Sequence, residues 1–247
     1  MFIKYILLLT LIPFSVVADT GNTTNQSFNK AKRMLERDVY TADSERVTLY
    51  CNAKFDTQKN IFAPEGFETR KYVKRAKRLE WEHVVPAENF GRTFPEWREG
   101  HERCENSKKE TYKGRRCAEK VNDEYKLMQA DMYNLYPAIG AVNASRSNYN
   151  FTLLADQKSS FGSCEMKVSN RKVEPPESSR GMIARTYLYM DHTYSRFSIS
   201  KQQRQLMDAW SKQYPVSGWE CERGRRIAEL QVNINQVLIN SCEKAGL

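Results

Sequence analysis

After a polar lead-in over 19–27, Phe28, Ala31, Leu35 and Val39 fall at helical spacing among Lys and Arg. That spacing predicts an amphipathic helix from Ser27 that ends before Asp43. The period then shifts to two: Val47, Leu49, Cys51, Ala53 and Phe55 alternate with Thr48, Tyr50, Asn52 and Lys54, the pattern of a half-buried strand with its cysteine inward. Pro64 and Gly66 mark 59–69 as a turn region. Alternation returns at Leu79, Trp81, His83 and Val85 against Glu80, Glu82 and Val84, and Pro86 is placed to end that strand. Residues 90–118 are dense in charge and turn formers and read as a long loop, with a helix from about Ala118 to Met128. The stretch 134–150 is rich in Asn, Ser and small residues, and Pro175–Pro176 makes 172–179 a rigid connection.

The C-terminal third is more clearly helical. Ile183, Tyr187, Met190 and Tyr194 form a core stripe, and Ser200 with Gln203 makes a capping box ahead of Leu206, Trp210 and Tyr214. A last helix is expected from about Gly218, with Ile227, Leu230 and Ile234 on one face. Strands early and helices late predict an α+β class, a mixed α/β arrangement in one domain over 19–247, since no linker or repeat divides the chain.

The first eighteen residues alter this picture. MFIKYILLLTLIPFSVVA has one early Lys, an apolar run from Tyr5 to Phe14 and small residues before a polar segment, which predicts a signal peptide cleaved near Ala18. No other stretch approaches the roughly 20 apolar residues of a spanning helix, so the mature protein is expected to be periplasmic or secreted, with no membrane association. The six cysteines contain no zinc-type pair, and in an exported chain they read as disulfides. Proximity along the chain pairs Cys104 with Cys117 and Cys221 with Cys242, leaving Cys51 with Cys164. The balance of 39 Lys+Arg against 30 Asp+Glu, +9 overall, favours polyanionic partners. Between Arg70 and Arg78 stand six basic residues and no acidic one, so Lys74, Arg75 and Arg78 form a candidate phosphate-facing strip or a solvated, lysine-protected edge.

Candidate chemistry centres on Glu80–Pro86, EWEHVVP. Glu82 is a hard oxygen ligand beside His83, and histidine is the side chain whose ordinary pKa suits general-base work near neutrality. Only His83, His101 and His192 exist to choose from. Strict alternation sends Glu82 and His83 to opposite faces, so one shared site requires the strand to bend or stop between them and Pro86. Asn134 is a possible second ligand or a helix cap, the Arg115–Arg116 pair is available to phosphate, and Arg146 either contacts phosphate or braces its loop.

The ordered runs EWEHVVPAENFG, KGRRC, DMYNLYPAIGAVNASRSNYNF, EPPESSRGMIARTYLYMDHTY and YPVSGWECERGRRIAELQ resemble the bacterial endonuclease I family of periplasmic or secreted non-specific nucleases, over roughly 28–242. The resemblance implies a ββα-metal (His-Me finger) core within a disulfide-bonded domain. It also implies His83 as general base, Glu82 and Asn134 as metal ligands, and Arg115, with Arg116 next in line, as the phosphate clamp. Mg²⁺ is the expected cofactor, with Mn²⁺ or Ca²⁺ as possible occupants. The implied reaction is hydrolysis of DNA, double- or single-stranded, and of RNA, leaving 5′-phosphate ends with little sequence preference, by a monomer. Two features depart from the family pattern: Gln231–Gln236 reads QVNINQ where a QGN-x-NP run is common, and KKETY precedes GRRC. The alternatives are a non-catalytic cationic exported protein that binds nucleic acid, and a metal-dependent phosphodiesterase for a small molecule.

Overall fold

The computed structural model describes residues 21–247; the expected signal peptide lies outside them. The chain opens with α1 (Phe28–Met34), capped by the Ser27 side chain and continued by a π-helical turn over Leu35–Val39, so the first predicted helix has the expected extent. The predicted strand over 47–55 is largely absent. Lys54–Phe55 (β1) pairs antiparallel with Ile61–Phe62 (β2), and Val47 makes only an isolated antiparallel bridge back to Lys54. Thr48, Leu49, Tyr50 and Cys51 are buried in succession, and Asn52 at φ 51° turns the chain back so that the Thr48 hydroxyl accepts from the Ala53 amide at 3.0 Å. Alternation here reflected a turn sunk into the core.

The basic stretch that follows bends through a single 3₁₀ turn, Val73–Arg75, into β3 (Leu79–His83). Within the segment read as a long loop lie α2 (Ala87–Gly91), α3 (Pro95–Arg98) and the start of α4 (Arg115–Val121). The single helix expected to Met128 is two, because Asn122 stops α4 and its side chain caps α5 (Asp123–Gln129) by accepting from the Tyr125 amide at 2.9 Å.

The featureless stretch 134–150 supplies β4 (Leu135–Ile139) and α6 (Gly140–Arg146). All five β4 residues are buried, which erased any alternation. β4 pairs antiparallel with β3 from Leu79↔Ile139 to His83↔Leu135. Gly140 is required at the turn into α6: a Cβ there would lie 2.6 Å from the Arg75 carbonyl and 2.8 Å from the Glu80 carboxylate. A small sheet follows, with β5 (Asn150–Phe151) parallel to β7 (Lys172–Glu174) and β6 (Lys167–Ser169) antiparallel to it.

Of the helices α7 (Glu177–Thr193), α8 (Lys201–Gln213), α9 (Gly218–Gln231) and α10 (Gln236–Ala245), α7 and α9 meet the Met132–Asn134 turn that leads into β4, α8 packs on α7, and α10 packs on α7 and α9. Arg223 of α9 is buried, donates to the Met132 and Leu135 carbonyls at 2.9 and 2.7 Å, and stacks 3.8 Å from the Tyr136 ring centre. Asp131 accepts from the hydroxyls of Tyr189 at 2.8 Å and Tyr194 at 2.6 Å, tying the segment before β4 to α7 and the residue after it. One apolar cluster runs from α1 through β3 and β4 to Ile227. The disulfides are Cys51–Cys164, Cys104–Cys117 and Cys221–Cys242, the pairs that proximity predicts.

The last predicted helix ends early. Val232 closes α9 in the left-handed region at φ 57°, and Asn235 caps the separate α10, so Ile234 falls in the connection. A β-branched residue is strained in that backbone, and Val232, 72% exposed, gains no burial in return. Val232→Gly is therefore expected to raise stability by about 1 kcal/mol. Urea unfolding checks this, and a midpoint at or below that of the wild type contradicts it.

Candidate active site

β3 ends at His83, and the chain turns through Val84–Pro86 into α2. That stop satisfies the demand raised by alternation: Glu82 and His83 both line one cavity of about 320 Å³, together with Phe28, Arg115, Asn143 and Arg146 among others. Helix α6, lying against β3, contributes Asn143 and Arg146 from one face at i, i+3 spacing.

Glu82 is 3% exposed. Its Oε1 accepts from the Tyr50 hydroxyl at 2.6 Å and lies 3.2 Å from the Arg146 guanidinium. No described group bonds Oε2. Burial pushes the Glu82 carboxyl above the usual range, and the Arg146 charge opposes that shift.

The His83 Nε2 lies 2.8 Å from the Gln129 carbonyl. A carbonyl only accepts, so Nε2 carries the hydrogen and Nδ1 is left with its lone pair. Burial, and then the Arg115 cation, push the imidazole down to about 3, so it is neutral through the physiological range. Phe28 packs on the imidazole with ring centres 4.8 Å apart, and Arg115 lies 5.2 Å from the centre of the same Phe28 ring. Arg115 stands in the first turn of α4, where its Nε donates to the Gln129 side chain at 3.3 Å. Gln129 thus touches both His83 and Arg115.

Three groups of sequence candidates stand apart from this cluster or take another part in it. Asn134 is fully buried and outside the cavity; its Oδ1 accepts from the Val85 amide at 2.7 Å and its Nδ2 donates to the Val85 carbonyl at 2.9 Å. Both ends of the amide extend the β3–β4 ladder, so Asn134 shapes the turn after His83, buried away from the cavity that Glu82 and His83 line. Asn143 stands in the cavity instead, its Nδ2 donating to Glu80 at 3.0 Å and leaving its Oδ1 as a donor atom. An i, i+3 reading of GAVNASR as a helix would have singled it out beside Arg146.

Arg146, 1% exposed, is a brace: it donates to the His83 carbonyl at 3.0 Å, to the Val84 carbonyl and to the Tyr187 hydroxyl at 3.2 Å. Of the two alternatives open to it, its burial and partners fit bracing the loop. The basic strip is no strand, and it is partly engaged: Arg75 Nε donates to Glu80 at 2.8 Å and Arg78 lies 3.4 Å from the same carboxylate, while Lys74 is exposed. Arg116 is exposed and turned onto Tyr112, 5.1 Å from the ring centre, which leaves Arg115 as the arginine of the pair at the cavity.

One carboxylate oxygen and one amide oxygen beside a solvent-reachable cavity suit a hard divalent cation that keeps most of its waters. The described residues contain no group of three or more His, Cys, Asp or Glu that would hold a metal without water or substrate.

The endonuclease I family model matches residues 14–242. An extracellular deoxyribonuclease of Aeromonas hydrophila is 42% identical over 88% of this chain and 91% of its own length. A periplasmic deoxyribonuclease of the same organism is 40% identical over 88% and 87%. An endonuclease-1 of Buchnera aphidicola subsp. Baizongia pistaciae is 34% identical over 99% and 97%. With a family model over residues 14–242 and relatives of that identity aligned over most of both chains, around a cavity lined by Trp81, Glu82, His83 and Pro86 of the EWEHVVP motif, the protein belongs to the endonuclease I family.

Proposed function

We propose that the protein is an exported, Mg²⁺-dependent endonuclease that hydrolyses phosphodiester bonds of DNA, double- or single-stranded, and of RNA, acting as a monomer in the periplasm or outside the cell after signal cleavage near Ala18. The observation that carries this reading is the convergence of Glu82 and His83 from β3, Asn143 from α6 and Arg115 from α4 on one cavity. Strands β3 and β4 with α6 make the ββα-metal element of a single domain over 19–247. Export follows from the relatives' extracellular and periplasmic names, and no helix among the described residues is long and apolar enough to cross a membrane.

In this account His83 Nδ1 takes the proton of the attacking water, while the Gln129 carbonyl holds Nε2–H and so the tautomer. Arg115 grips the scissile phosphate. Glu82 Oε2 and Asn143 Oδ1 would hold the cation, and Mn²⁺ or Ca²⁺ could take the same oxygens. When bound, Mg²⁺ supplies Lewis-acid charge against the phosphate and the departing oxygen. Cleavage of the bond to O3′ leaves the phosphate on the 5′ end. With Arg115 at the cavity and recognition aimed at the phosphate, little base preference is expected.

Plasmid degradation tests the proposal. Supercoiled DNA is expected to be nicked and then lost in Mg²⁺, and preserved when EDTA is added. Intact plasmid in Mg²⁺ would favour the non-catalytic cationic protein; equal degradation in EDTA would remove the metal.

A further inference from the structure

A second, larger cavity of about 620 Å³ adjoins the active site, and Ser147 lines both. Its rim carries Arg70, Lys71, Tyr72 and Tyr149, with Glu68 as its one lining carboxylate among the described residues. Neither Arg70 nor Lys71 has an ion-pair partner among the described residues. The Arg171 guanidinium sits 5.8 Å from the Tyr149 ring centre, and Arg75 sits 5.6 Å from that of Tyr72.

The groove is held in place rather than loosely draped. Ser163 donates from its amide to the Gly66 carbonyl at 2.9 Å and from its hydroxyl to the Glu65 carbonyl at 2.6 Å, and Phe67 stacks on Phe161 at 6.0 Å. Two residues at the groove also adopt backbone that L side chains rarely do: Tyr72 at φ 55° and Ser147 at φ 54°. Tyr72 is 49% exposed, so the strained backbone presents a large ring to solvent and no burial offsets it.

Unpaired cations, aromatic rings each flanked by a guanidinium, and continuity with a phosphate-cleaving cavity are what a single-stranded nucleic acid uses: backbone charge is met by Arg and Lys, and unpaired bases stack on aromatic faces. We infer that this groove is a subsite for unpaired nucleotides flanking the scissile bond, with bases stacked on Tyr72 and Tyr149 and phosphates met by Arg70 and Lys71. Bases in an intact duplex are already stacked and cannot use it, so the groove serves single strands and opened ends. The inference rests on the nuclease reading for the identity of its ligand.

The test is fluorescence anisotropy in EDTA, with a short labelled single-stranded oligonucleotide and its abasic counterpart of identical phosphate count. The wild type is expected to bind the intact strand on the order of tenfold tighter than the abasic one. Tyr72→Asn combined with Tyr149→Ala is expected to bind both equally and weakly; Asn tolerates the left-handed backbone at position 72, so the ring is removed without added strain. Tyr72→Trp with Tyr149→Trp is expected to restore the preference. Equal binding of both strands by the wild type overturns the inference even if the double variant fails to fold, and so does a double variant that discriminates as the wild type does. Because binding is read without metal, failure of the nuclease reading appears separately, as wild-type protein that binds DNA yet leaves it intact in Mg²⁺.

Discussion

Replacing His83 with alanine is expected to lower kcat for DNA cleavage by roughly 10²–10⁴-fold, the usual contribution of a positioned general base, with DNA binding retained. The magnitude follows from the position of His83: its Nε2–H is fixed by the Gln129 carbonyl, so Nδ1 is the one basic atom that the ring offers. His101 and His192 do not line the cavity and cannot substitute. The same geometry sets a pH signature. Burial and Arg115 push the imidazole down to about 3, so lowering the pH through 6.5 does not protonate it in the free protein. The acid limb of kcat/KM, which reports the free enzyme, is expected well below pH 6.5. The limb of kcat is expected higher, since the bound anionic phosphate favours the imidazolium. A kcat/KM limb centred at 6.5 contradicts the buried, cation-flanked His83, and wild-type kcat in His83→Ala removes it as the base.

Replacing Arg146 with methionine is expected to destabilise the fold by about 3–5 kcal/mol, because the change leaves a buried carboxylate without its counter-charge. Glu82 keeps the Tyr50 hydroxyl but loses the guanidinium 3.2 Å away, and the His83 and Val84 carbonyls lose their donor. A surface pair makes the contrast: Arg78 is exposed and 3.4 Å from Glu80, so Arg78→Met is expected to change stability by less than about 1 kcal/mol. Urea denaturation of both variants reads the difference directly. Equal, small losses would show that Arg146 does not compensate Glu82. Although DNA contact was one sequence-level reading of Arg146, its burial makes it a positioning residue for the carboxylate and for the turn after His83.

Some parts of this molecule were legible in the sequence for identifiable reasons. Glu82, His83 and Arg115 stand in short, dense motifs, and the disulfides followed from the order of six cysteines. The capped C-terminal helices announced themselves through Ser200 and a clean apolar stripe. What escaped was non-local or buried on every side. β4 carries Pro137 and five buried residues, so nothing alternates, and its partner β3 lies some fifty residues earlier. Without β4 there was no reason to start a helix at Gly140, and without that helix Asn143 was one asparagine among several. Asn134 took the ligand role from the family resemblance of its motif, while its buried amide bonds both the amide and the carbonyl of Val85. The alternation of 47–55 misled for the converse reason, since a compact turn closed by Thr48 and Asn52 buries successive residues that a strand would split between two faces.

In the proposed site Glu82 and Asn143, rather than Asn134, would hold the catalytic cation, and Mn²⁺ binding followed by electron paramagnetic resonance distinguishes the two. Glu82→Gln and Asn143→Ala are expected to weaken Mn²⁺ binding by at least about tenfold while their thermal transitions without metal stay cooperative. Asn134→Ala is expected to lower the transition temperature through loss of its two Val85 hydrogen bonds, with Mn²⁺ affinity of the folded protein close to that of the wild type. Wild-type Mn²⁺ affinity in Asn143→Ala, together with its loss in a folded Asn134→Ala, would contradict the account.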